Sequence, residues 1–119
     1  MPGKGYITRL KRAAVYLRDG MRCVHCGRDV KPGRRNYGRG SESAATLDHC
    51  MSRADSCAVV TACWCCNRDL GEPPHPPPDL AQRLVAPLDL AAARELVRQV
   101  WGEPKPRWRK PSPRSKRAG

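Results

Sequence analysis

Apolar positions near the start of the chain fall on one helical face. In ITRLKRAAVYLR (7–18), Ile7, Leu10, Ala14 and Leu17 recur at helical spacing. Lys11, Arg12 and Arg18 lie off that stripe, and Gly20 stands where the helix should stop. The stripe is expected to pack and the basic side to lie near a phosphate backbone. The period then changes. ATLDH (45–49) and AVVTA (58–62) read as short strands, the second rich in β-branched residues. WCCNRDL (64–70) reads as one or two helical turns closed by Gly71. EPPHPPP (72–78) is a polyproline break expected to end the core. Beyond it, Asp79 with Gln82 three residues on predicts a capping-box start for DLAQRL. Asp89 is placed to cap LAAARELVRQVW, where Leu90, Ala93, Val97 and Val100 share a face.

This pattern predicts an α+β chain in four parts: a basic N-terminal helix (1–20), a core (21–71), the proline break with C-terminal helices (72–101), and a basic tail (102–119). The tail is Pro- and Lys/Arg-rich with almost no aliphatic content, and is expected to be disordered when free. Residues 31–44 form a Gly-, Ser- and Arg-rich loop carrying Lys31, Arg34, Arg35 and Arg39. It reads as a solvated insertion or a phosphate contact.

Composition sharpens the picture. The 119 residues include no Phe, 12 Pro and 5% aromatics, too little for a large core. Such domains usually need disulfides, a metal or a partner. Seven Cys are present. The N-terminal residues lack the apolar run of a secretory signal, and no stretch is apolar and long enough to span a bilayer. A reducing, cytoplasmic compartment is therefore expected, in which Cys clusters bind metal more often than they form disulfides.

The formal net charge is +12. It sits in residues 1–22 and 102–119, leaving 23–101 nearly balanced. Basic flanks around a neutral middle point to a nucleic-acid partner, because Lys and Arg contacts to phosphate release counterions. No membrane partner is expected, since the apolar stripe of the basic N-terminal helix is expected to pack.

Cys23-Val-His-Cys26 and Cys63-Trp-Cys-Cys66 are two Cys-x-x-Cys pairs. Two thiolates at this spacing share one ion through a tight turn, and zinc takes four such ligands. Cys65 lies inside the second pair as an alternative ligand, but Cys63 and Cys66 match the first pair's spacing. His25 lies inside the first pair and is not expected to bind the zinc. Cys50 and Cys57 read as buried small side chains, with a redox pair or a second metal as alternatives.

Asp48-His49 ends the first expected strand. Phosphodiester hydrolysis needs a base for water and a cation for the charge on phosphate, roles that imidazole and carboxylate suit. By itself the dipeptide is a weak signal. In order, YLRDGMRCVHCG, TLDHCMSR and VVTACWCCNRDLG resemble the HNH endonuclease family, in the form common in phage and bacteria. The resemblance covers roughly residues 13–71. It implies a small zinc-stapled ββα-metal (His-Me finger) core with flanking N- and C-terminal helices. It implies His49 as general base, Asp48 and Asn67 as ligands of a catalytic Mg2+ or Mn2+, and Arg53 near the phosphate. It also implies structural zinc at Cys23, Cys26, Cys63 and Cys66.

One position departs from the family. Ala58 stands where many relatives carry an Asn that braces the loop holding the base. The loop between His49 and Ala58 is also shorter, so Asp55 or Ser56 is the expected substitute brace. The resulting expectation is an endonuclease that nicks or cuts DNA. The alternative is a weak or inactive HNH-like zinc module that binds nucleic acid. A role beside phage packaging proteins is an implication of the resemblance alone.

Overall fold

A computed structural model describes residues 7–33 and 42–102. Its elements are α1 (Arg9–Arg18), β1 (Ala45–His49), β2 (Val59–Cys63), α2 (Trp64–Leu70), α3 (Leu80–Val85) and α4 (Leu90–Trp101). The expected tail and most of the Arg-rich loop lie outside the described residues. The chain is a small mixed fold of helices and a two-stranded sheet, as expected. No helix among the described residues is long and apolar enough to cross a membrane.

Thr8 starts α1, its hydroxyl accepting the Lys11 amide at 3.1 Å. The chain leaves α1 through Gly20 and Met21, both at positive φ. The expected apolar stripe is only half of what α1 buries. Ala13 and Ala14 meet Ala93 of α4, with Leu10, Leu17, Leu96 and Val97 around them. Val15 and Tyr16 enter a second cluster with the sheet. The helix is thus buried on two sides, and its small residues let α4 approach closely. The Tyr16 hydroxyl donates to the Ala45 carbonyl at 3.2 Å, tying helix to strand.

Arg18 corrects the expectation of an outward basic side. Its side chain is only 6% exposed and forms two bonds to the Asp19 carboxylate, at 2.9 and 3.1 Å. It also donates to the Val59 carbonyl at 2.9 Å. Asp19 further accepts from the Thr61 amide at 2.9 Å and from Arg83 at 3.0 Å. Burial pushes the Asp19 carboxyl up, but the bonds from Arg18, Thr61 and Arg83 outweigh it and hold the group below its ordinary range.

The two strands pair antiparallel, with Ala45 opposite Cys63 and His49 opposite Val59. The second strand runs one residue later than its β-branched pattern implies, directly into α2. The reason is local: Cys63 caps that helix, its sulfur accepting the Cys66 amide at 3.3 Å. The α2 boundaries and the Gly71 terminus, at φ 68°, match the expectation. Asp79 does not cap α3; its carboxylate instead takes Arg83 at 2.8 Å. Asp89 does cap α4, accepting the Ala92 amide at 3.0 Å. The buried residues of α4 are Ala93 and Trp101, while Leu90, expected on that face, is 46% exposed.

Candidate active site and metal centre

The first Cys pair forms a tight turn. Gly27, at φ 80°, donates to the Cys23 carbonyl at 2.8 Å, and the His25 amide points at the Cys23 sulfur at 3.4 Å. The Val24 amide bonds the Thr61 carbonyl at 3.0 Å, which pins this turn to β2. The second pair joins β2 to α2. Together they bring the sulfurs of Cys23, Cys26, Cys63 and Cys66 within 4.8 Å of one another, with Cys26 and Cys63 at 3.9 Å. Sulfurs arranged tetrahedrally around zinc at ordinary bond lengths lie ~3.8 Å apart. The cluster therefore fits one structural zinc ion. Burial opposes ionisation of Cys26, yet the Arg28 amide and the neighbouring thiols bring it down to about 7.

The other three Cys stay outside the cluster. Cys50 is buried and directs its thiol at the Ala58 carbonyl, 3.7 Å away. Burial, with the Asp48 charge, pushes its thiol up to about 11, so it stays protonated. Cys57 is exposed, against the expectation of burial, and Cys65 is half-buried beside Asp69 and Arg68.

The four residues nominated for catalysis converge. Asp48, His49, Arg53 and Asn67 line one cleft of about 170 Å³, with Leu47, Gly71 and Pro73. Asn67 projects from α2 and donates its amide nitrogen to the Thr46 hydroxyl at 2.9 Å and the Leu47 carbonyl at 3.2 Å. That fixes the amide and leaves its oxygen as the atom to offer a cation. The ring nitrogen Nε2 of His49 is buried without a hydrogen-bond partner. Buried polar atoms are seldom orphaned, and His49 is also one of the residues that line the polar cleft. Arg53 stands at the rim in a two-bond pair with Glu72, at 3.1 and 3.2 Å.

The loop from His49 to Ala58 is braced from within, with Ala58 itself supplying only backbone. Asp55 accepts the amides of Cys57 and Ala58 at 2.8 and 3.2 Å. Asp55 was one of the two expected substitutes. Ser56 instead offers its carbonyl to Lys11, at 3.5 Å.

Two histidines that sequence reasoning did not place here close the site. His25 Nε2 lies 2.8 Å from Asp48 Oδ2, and His75 Nε2 lies 2.9 Å from Oδ1 and 3.1 Å from Oδ2. Asp48 is 4% exposed in its side chain, and the two imidazoles 13% and 12%. Burial pushes the Asp48 carboxyl up, but the two histidine bonds prevail and hold it below its usual range. His75 arrives on the proline-rich segment, which folds back on the core. Its amide bonds the Cys50 carbonyl at 2.8 Å, and Pro77 is buried.

Among known proteins, no family model, no curated protein and no solved structure matches the chain.

The site's chemistry therefore rests on its own groups. It offers a buried carboxylate, an amide oxygen and an imidazole facing one small polar cleft. Asp48 and Asn67 are oxygen donors of the type that hard divalent cations take. The two imidazoles make three contacts with the Asp48 carboxylate, which leaves at least one of its roughly four acceptor positions for an ion.

Proposed function

We propose that the chain is a metal-dependent endonuclease of the HNH type that hydrolyses phosphodiester bonds in DNA. The observation that carries this reading is the convergence of Asp48, His49 and Asn67 on one cleft beside the four-thiol cluster.

In this reading Asp48 and Asn67 hold a divalent cation, Mg2+ or Mn2+, which supplies charge stabilisation at the phosphate. His49 accepts the proton of the attacking water, its Nε2 having no hydrogen-bond partner among the described residues. His25 and His75 orient the Asp48 carboxylate. Arg53, partnered by Glu72, stands where a phosphate would enter, and the basic flanks of the chain supply long-range attraction to DNA. The thiol cluster with its zinc holds the scaffold and takes no part in the reaction.

A second reading is a zinc-dependent nucleic-acid binding module. One observation favours it: the Asp48 carboxylate is already engaged by two imidazoles. Supercoiled plasmid incubated with and without added Mg2+ or Mn2+ separates the two. Relaxation that requires the added metal supports the enzyme, and binding without relaxation in either metal supports the module.

A further inference from the structure

A second depression lies next to the candidate cleft, against β1 and α2. It is an open groove of about 360 Å³ lined by Arg12, Thr46, Leu47, Trp64, Asn67 and Arg68. Leu47 and Asn67 line both spaces, so the groove borders the cleft. Two of the six lining residues are arginines and none is acidic.

Trp64 is the unusual member. It is half-buried and belongs to neither hydrophobic cluster of the described residues. Arg68, one helical turn on, holds its guanidinium 4.6 Å from the indole centroid. Its Nε bonds Asp69 at 2.8 Å and its Nη2 the Cys65 sulfur at 3.4 Å, which fixes the stack. Arg12 reaches the groove from α1 and donates to the Tyr16 hydroxyl at 3.1 Å.

We propose that this groove holds a nucleotide next to the scissile phosphate, its unpaired base stacked on the Trp64–Arg68 pair and its backbone near Arg12. The inference deepens the nuclease reading and rests on it for the direction of the strand. Indole and guanidinium planes receive any base, because every base has a π-face. A base inside a duplex has no free face to offer. The substrate class that follows is a single strand, or a duplex opened at the cut.

The test measures binding apart from cleavage. The zinc-loaded full chain carrying His49→Ala is titrated, with no divalent metal added, against a labelled single-stranded oligonucleotide of about ten thymidines. The same strand with abasic sites is titrated in parallel. The abasic strand should bind the unaltered groove about 5- to 100-fold more weakly. Trp64→Ala should abolish that difference and Trp64→Phe should largely keep it. Trp64→Leu replaces Trp64→Ala if the smaller side chain costs the protein its zinc. Equal affinity for both strands, or a base-dependent difference that survives Trp64→Ala or Trp64→Leu, overturns the proposal. A chain that relaxes plasmid yet ignores base removal loses this inference alone. A chain that stacks bases but never cuts loses the nuclease reading alone.

Discussion

His25 Nε2 sits 2.8 Å from Asp48 Oδ2, so a residue inside the first Cys turn touches the carboxylate at the centre of the candidate site. The thiol cluster and the cleft are thereby joined through one side chain. Removing an outer partner of a metal ligand typically costs about 10- to 100-fold in metal affinity. His25→Ala should therefore keep its zinc, since the four thiols are untouched, and bind added Mn2+ about 10- to 100-fold more weakly. His75→Ala should shift it in the same direction. Calorimetric titration of Mn2+ into each variant, with zinc content measured beside it, checks the link. Unchanged Mn2+ affinity in both would mean that the histidines only fill space.

Zinc should be inseparable from folding. The core is thin, and ligands brought from two distant turns convert binding energy into folding energy. A strong chelator, or Cys23→Ser, should remove most of the far-ultraviolet circular dichroism. Cys57→Ser and Cys65→Ser should leave zinc stoichiometry at one, because neither sulfur belongs to the cluster. Metal analysis of the three variants reads this directly.

The Asp19 cluster gives a pH dependence with a definite sign. Its folded pKa lies below the model-compound value of 3.8, so its stabilisation is present above that value and fades as pH falls through the folded one. Asp19→Asn leaves Arg18 buried without its counter-charge, a loss of about 3 kcal/mol at neutral pH. Urea unfolding should show that gap at pH 7 and a narrowing gap below about pH 4. A gap that held constant with pH would place the effect in packing rather than charge.

What the sequence showed and hid follows from the range of each interaction. The Cys pairs, both strands, α2 with Gly71, and the Asp89 cap are local patterns, and all could be read along the chain. Asp48, His49 and Asn67 were nominated from a resemblance, and the strand register and α2 bring them to one cleft. His25 and His75 escaped notice because each meets Asp48 across more than twenty residues, along a route that spacing does not encode. Proline-rich composition pointed to a break after Gly71, whereas the His75 amide and Pro77 anchor that segment to the core. Arg18 was expected on a basic side near a phosphate backbone, and only the fold supplies the Asp19 carboxylate that lets it be buried. The second face of α1 was hidden for a similar reason, since Val15 and Tyr16 interrupt a stripe that already satisfied helical periodicity.

In the proposed nuclease, His49 takes a proton from water while other residues hold the metal. Plasmid relaxation at saturating Mn2+, measured for the unaltered chain and for His49→Ala at matched zinc content, tests it most directly. His49→Ala should lower the rate about 10²- to 10⁴-fold and leave Mn2+ affinity nearly unchanged. Relaxation by His49→Ala at the rate of the unaltered chain would contradict it.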